Sequence, residues 1–192
     1  MLIDNNQKSF IISFREASEN DFNNMIKIIG NYYKKLNLPE IHKKKNMIPW
    51  IWIKDPCVSF NLIMINEEIA GFFIARTIHL NIHLHSFFID KKYRRLGLGK
   101  KMLFKHWDNG LKKSSKIDTF TLHVHQINKF SASFYKKFGY QKVEQSDDLL
   151  ILNNGLGSWA RNCKTKGQWP LREGIDLYSI KVKRVKTILN NV

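Results

Sequence analysis

The apolar positions of this chain change period several times, and each change marks an element. Phe10-Ile11-Ile12-Ser13-Phe14-Arg15 reads as a strand over 10–15, and Ser18 followed three residues on by Asp21 is a capping-box-like helix start. Phe22, Met25, Ile26, Ile29, Tyr33 and Leu36 then recur at steps of three and four, which predicts a helix with one buried face that stops before Pro39. Residues 40–54, lysines followed by Pro49-Trp50-Ile51-Trp52-Ile53, fit a short helix better than a substrate-facing loop. Apolar runs at 57–65, 69–78 and 80–89, the first two separated by the tight turn Asn66-Glu67-Glu68, predict an antiparallel meander.

After Asp90 a glycine-bearing segment leads into a helix at 97–113, with Leu98, Met102, Leu103, Trp107 and Leu111 on its apolar face and Asn109-Gly110 near its end. A strand at 117–125, a helix at 128–138 and a strand at 140–143 follow, and Leu177 to Val182 supplies a last strand. An antiparallel opening followed by a β-α-β-α-β half predicts an α/β fold whose sheet has mixed strand directions. No internal repeat or low-complexity tract divides the chain, so residues 1–192 are expected to form one domain, with an irregular insertion at 153–175.

Composition adds charge to this picture. Thirty-two Lys and Arg stand against 16 Asp and Glu, a net charge of +16 that attracts polyanions, nucleic acid among them. Ten of the cations, from Lys91 to Lys116, fall in one stretch whose only acid is Asp108, around the glycine segment, which points to a phosphorylated cofactor. The runs Lys43 to Lys45 and Lys181 to Lys186 have no such explanation and read as solvated basic surface. Cys57 and Cys163 lack the spacing of a disulfide framework or a zinc site, so no metal is expected. Met1 to Asn6 lacks signal-peptide order and no apolar run approaches a membrane span, which makes the cytoplasm the expected compartment.

The chemistry centres on Arg94-Arg95-Leu96-Gly97-Leu98-Gly99-Lys100, which joins a strand to an amphipathic helix. Amides at such a place have no intrahelical acceptors and the helix dipole is positive, so the segment suits a phosphate, with Gly97 and Gly99 allowing close approach. It is too short for a Walker A loop, and it lacks the third glycine and the later acid of a Rossmann fingerprint. It resembles the R/Q-x-x-G-x-G/A pyrophosphate loop of the GNAT acetyltransferases. Asn128-Lys129-Phe130-Ser131-Ala132-Ser133-Phe134-Tyr135-Lys136-Lys137-Phe138-Gly139-Tyr140 is similar to that family's second signature, N-x-x-A-x-x-F-Y-x-x-x-G-F/Y, with one residue of slack before the alanine. Arg15-Glu16-Ala17 with Asp21 is similar to the way many members enter their first helix, and the resemblance covers residues 10–145. Arg95 stands where members often have glycine.

The resemblance implies a GNAT fold, a mixed and mostly antiparallel sheet flanked by helices, and an enzyme that moves the acetyl group of acetyl-CoA to a primary amine by direct attack. A V-shaped split between two central strands would admit the pantetheine of coenzyme A against the main chain at Phe88 and Ile89. The amides and side chains from Arg94 through Arg95, Leu96, Gly97, Leu98 and Gly99 to Lys100 would hold the pyrophosphate, Asn128 would meet the cofactor arm, and a backbone N–H near Ile89 would polarise the acetyl carbonyl. Tyr135 would stand near the sulfur, as general acid or as a hydrogen-bond donor to it.

An amine must lose its proton before it attacks, and His123 is the candidate base. On its strand Phe120, Leu122 and Val124 alternate with Thr121, His123 and His125, which puts both histidines on one face. In the ribosomal-protein alanine acetyltransferases the place twelve residues before the signature tyrosine holds a glutamate base; here it is His123. His83 and His85 are its competitors, and a water relay would serve for a weakly basic amine. Trp159 and Trp169 would wall the acceptor site or a dimer contact, or tie down a surface loop. The expected partner is an amine carried by a protein or a small molecule, taken up by a monomer or homodimer without a membrane. The alternatives are an amine carried by RNA, as on aminoacyl-tRNA, and a CoA-binding module without turnover.

Overall fold

The structure is a computed structural model that describes residues 10–28, 55–78, 80–143 and 175–191. Among the described residues seven strands form one sheet in the order β1-β2-β3-β4-β5-β7-β6. They are β1 (Ile12–Glu16), β2 (Val58–Ile65), β3 (Glu68–Ile78), β4 (Asn81–Ile89), β5 (Thr119–His125), β6 (Gln141–Lys142) and β7 (Ile175–Lys181). The helices are α1, helical over 22–28, α2 (Leu98–Lys113), α3 (Lys129–Lys137) and α4 (Val182–Asn190). The β4–β5 pair is parallel and the other pairs antiparallel, the mixed sheet that the element order predicts. The meander turns at Asn66-Glu67, both in the left-handed region at φ 46° and 72°, as a two-residue hairpin with right-handed strand twist requires. The short helix read at 40–54 and the insertion at 153–175 lie outside the described residues.

The two faces of the sheet carry separate cores. Leu62, Phe72, Ile74 and Phe88 meet Met25 and Ile28 of α1 on one side. On the other, Phe73, Ile82, Leu84, Phe120, Leu122 and Ile180 meet Leu98, Met102, Leu103 and Trp107 of α2, Tyr135 of α3, and Val182 and Val185 of α4. The entry to α1 follows the expected capping box: the Ser18 N–H donates to Asp21 Oδ2 at 2.8 Å, and Arg15 grips the same carboxylate with two nitrogens at 2.7 and 2.8 Å. The Arg15 guanidinium, followed by the Ser18 donors, holds the Asp21 carboxyl down at about 2.

Two sequence expectations need correction. Ile26 is exposed while Met25 and Ile28 are buried, so the inner face of α1 is narrower than the run of apolar residues suggests. The helix read at 97–113 is found as Leu98–Lys113, with Asn109-Gly110 near its end as expected. A Cβ on Gly110 would lie 2.5 Å from Ile82 Cδ1 and 2.6 Å from a Phe120 ring carbon, so this glycine lets α2 lie close on the sheet. The last strand ends at Lys181, and Val182 opens a helix that the sequence reading missed; Val182, Val185 and Ile188 recur at helical spacing within what reads as a basic run.

His106 on α2 is sandwiched edge-on between Phe73 and Phe120, and its Nε2 has no hydrogen-bond partner among the described residues. Burial pushes its pKa down to about 3. The unfolded chain therefore takes up a proton that the folded one refuses, and stability is lost as pH falls from about 6.5 towards 3. In urea titrations His106→Leu is expected to remove about 2 kcal/mol of the stability loss between pH 7 and 5. An unchanged pH slope would show that the ring is protonated in the folded protein.

Candidate active site

The site arises where two neighbouring strands stop pairing. β4 and β5 bond only over Asn81–Leu84 against Thr119–Leu122. Beyond that, β4 continues to Ile89 along β3, and His123 to His125 of β5 pair with β7 on the far side. The β3–β4 register shifts between Ile74 and Ala75, opposite His85, where the strands begin to part. A bulge there increases twist and turns the rest of β4 away from β5, which is the V-shaped split expected from the resemblance. Gly71 sits beside it, where a Cβ would lie 2.4 Å from the Phe88 carbonyl oxygen. Phe88 is buried on the α1 side, Phe87 and Ile89 pack towards the other helices.

The glycine loop closes the open end of this split. Asp90 caps a single turn at Lys91–Tyr93, accepting from the Lys92 N–H at 3.0 Å, and Lys92 and Tyr93 both reach Glu68. Arg94 bends back, its Nε donating to the Ile89 carbonyl at 3.0 Å, so it straps the loop to the end of β4. Arg95 and Gly97 are both left-handed, at φ 70° and 73°. Glycine would adopt the first of these without the cost of about 1–2 kcal/mol that Arg95 incurs, and strain of this kind is kept where a loop must hold one shape. The first bond within α2 runs from the Lys101 N–H to the Gly97 carbonyl at 3.3 Å, so the amides of Leu98, Gly99 and Lys100 precede it at the positive end of the helix. A Cβ on Gly97 would meet nothing within 4 Å, whereas one on Gly99 would lie 3.1 Å from the Phe134 ring. Space above Gly97 and a tight contact beneath Gly99 make a cradle open on one side, the shape a pyrophosphate needs.

Below the loop, histidines line the α1 side of the split. His123 Nδ1 is 3.2 Å from His83 Nε2, and His83 Nδ1 is 3.0 Å from the Thr121 hydroxyl. That hydroxyl lies 2.9 and 3.2 Å from the two side-chain atoms of Asn81. His83 is buried, and its pKa falls well below the ordinary value because of that burial and, next, the nearby His123. Burial thus favours its neutral form. His85 turns to the Ser86 hydroxyl at 2.9 Å, and His125 Nδ1 accepts from the Ile127 N–H at 3.3 Å. The sequence reading set His83 and His123 against each other as rivals, yet the structure makes them partners. It passed over Asn81 and Thr121, whose signal was present: they are the next inward-facing polar positions on the same two strands.

Tyr135 lies on the opposite face of the sheet from His123, its ring 6.0 Å from Phe87 and 5.6 Å from Tyr140. Its position at the α3 end of the split depends on a buried anchor, the Trp107 indole N–H donating to the Tyr140 hydroxyl at 3.0 Å. Asn128 caps α3, accepting from the Ser131 N–H at 3.1 Å. Phe130, two residues on and 68% exposed, has the Arg95 guanidinium 5.7 Å from its ring centre. His123 and Tyr135 thus stand on opposite faces of the sheet, on elements that flank the split. Among the described residues no group of three potential ligands could hold a metal ion.

Comparison with known proteins bears on this arrangement. A family model described as the acetyltransferase (GNAT) domain matches residues 52–148. The probable N-acetyltransferase san of Drosophila melanogaster is 42% identical over 55 residues, 29% of each chain. N-alpha-acetyltransferase 50 of Danio rerio is 44% identical over 52 residues, 27% of this chain and 30% of that one, so the chain spans less than a third of the length of these curated relatives. Among solved structures, a GNAT-family acetyltransferase from Staphylococcus aureus superposes over 90% of this chain and 99% of its own, with a TM-score of 0.65 at 18% identity. The PaiA N-acetyltransferase of Thermoplasma acidophilum, solved in complex with coenzyme A, superposes over 89% and 99% with a TM-score of 0.62 at 17% identity. At these identities the structures speak for the fold.

Proposed function

Because the chain belongs to the GNAT acetyltransferase family, we propose that it is an acetyl-CoA-dependent N-acetyltransferase whose acceptor is a primary amine, most simply the α-amino group of a protein. The observation that carries this reading is the β4–β5 pairing, which stops after four residues beside a phosphate cradle. The residues present fit coenzyme A, and acetyl-CoA supplies an activated acetyl group as a thioester. In this reading the amides of Arg95 to Lys100 bind its pyrophosphate, and the main chain at Phe88 and Ile89 lines the arm, with a backbone N–H near Ile89 directed at the acetyl oxygen. Arg94 acts through the loop's shape, since its Nε is engaged with the Ile89 carbonyl. Asn128 orients the start of α3 beside the arm.

The proton balance sets the roles of the remaining residues. A lysine side chain costs about 4–5 kcal/mol to deprotonate at pH 7, an α-amine only about 1 kcal/mol. A base at His123 requires the tautomer in which the Thr121 hydroxyl donates to the Asn81 carbonyl oxygen and accepts from His83 Nδ1–H. His83 Nε2 is in turn the acceptor for His123 Nδ1–H, and the lone pair of His123 is left on Nε2. A neutral imidazole held in that tautomer is matched to an α-amine and weak for a lysine side chain. Tyr135, from the other face, hydrogen-bonds the leaving sulfur. Full proton transfer from a phenol near 10 to a thiolate near 8.5 is uphill by about 2 kcal/mol, so its stabilisation of developing charge matters more than its acidity.

Protein α-amines are favoured over small amines by the Danio rerio relative, whose name specifies N-alpha acetylation. The test is coenzyme A release measured by thiol titration against peptides with free or blocked N-termini, each with and without internal lysines. Turnover is expected to require the free N-terminus and to ignore the lysines. Turnover on blocked, lysine-bearing peptides at equal rate would reverse the assignment, and acetyl-CoA binding without turnover on any amine would leave a binding module.

A further inference from the structure

We propose that the outer surface of α2, α3 and α4 is a docking face for folded RNA, a property that goes beyond the acetyl-transfer reading and does not depend on it. The three helices cover one face of the sheet over a single apolar core, so their outward sides form one continuous surface. Between residues 98–143 and 175–191 there are 14 Lys and Arg against three Asp. Each of those acids is already engaged: Asp108 with Lys112, Asp118 with Lys181 and Asp176 with Lys142. Lys101, Lys113, Lys116, Lys136, Lys137, Lys183, Arg184 and Lys186 are all exposed. On the α1 side the described residues 19–28 carry Glu19 and Asp21 against Lys27.

The cofactor does not account for this field. Its phosphates belong at the Gly97 end of α2, and 16 helical residues place Lys113 about 24 Å away, several screening lengths at physiological salt. A surface built only for solubility intersperses both signs, because a large single-sign patch repels itself. Three helices side by side at about 8–10 Å spacing make a cationic area broader than an acidic peptide would cover. RNA is favoured over duplex DNA by the exposed Phe130 with Arg95 beside it, at the rim of this surface, which offers a stacking place to an unpaired base.

Fluorescence anisotropy of the full chain with labelled transfer RNA, from 50 to 200 mM salt, tests the proposal. Binding is expected to weaken by at least about tenfold across that range, as counterion release requires for several phosphate contacts. The triple variant K183E/R184E/K186E should weaken RNA binding at least about tenfold and flatten the salt dependence, while acetyl-CoA titrates into it with unchanged affinity. A milder variant at the far end of α2, K112Q/K113Q/K116Q, should act in the same direction if charge reversal unfolds α4. The proposal is overturned by no binding at 50 mM salt, by variants that bind RNA as wild type does, or by equal or tighter binding to duplex DNA, phosphatidylserine vesicles or polyglutamate.

Discussion

Acetyl-CoA titrated into Gly97→Trp is expected to bind at least about 100-fold more weakly than to the wild type, a loss near 3 kcal/mol. Gly97 sits at φ 73° directly before α2, and a Cβ there would project into space free of other atoms within 4 Å. An indole placed on that bond occupies the volume above the amides of Leu98 to Lys100, where a pyrophosphate must lie to reach them. The left-handed backbone costs any side chain about 1–2 kcal/mol of stability, so the variant must be compared with Gly97→Ala, which incurs that strain with a methyl group only. Calorimetric titration of both separates the effects: Ala should keep most of the affinity, Trp should lose it, and both should melt at similarly lowered temperatures. Equal binding by Trp and wild type would mean that the cofactor phosphates lie elsewhere.

His123→Gln is expected to lower kcat by about 100-fold or more on a peptide α-amine while leaving the acetyl-CoA affinity unchanged, as befits a general base that does not hold the cofactor. The pH profile carries the sharper test. Burial favours the neutral form of His83, so with His123 as the base activity should rise with pH along one acidic limb. In the variant that limb should move up to the ionisation of the amine itself, and the deficit should shrink at high pH, where the amine arrives already neutral. A variant as active as wild type at pH 7, with the same limb, would assign deprotonation to water.

Much of this protein is legible along the chain because its signals are local. The helix 98–113 and the strand 119–125 follow from apolar spacing within a dozen residues, and the loop at Arg94–Lys100 is recognisable from residues adjacent in sequence. The misreadings have equally physical causes. Ile26 is read into the inner face of α1 because it is aliphatic among aliphatic neighbours, whereas it is exposed while Met25 and Ile28 are buried. Val182 to Asn190 is hidden because its lysines dominate a short stretch, although the three aliphatic positions at helical spacing are there. At the site, alternation on β5 puts His123 and His125 on one face but says nothing of what stands opposite.

The order of elements up to the last strand, the glycine loop, the signature around Tyr135 and an excess of positive charge are all readable along the chain, since each depends on residue type and short-range spacing. That β7 lies between β5 and β6, and that β4 and β5 pair for four residues and then part, is visible only in three dimensions. The tertiary structure alone brought His83 against His123 across 40 residues of chain. Cross-strand register and helix placement come from the summed burial of many side chains on both faces of a sheet, a long-range balance that no local pattern contains.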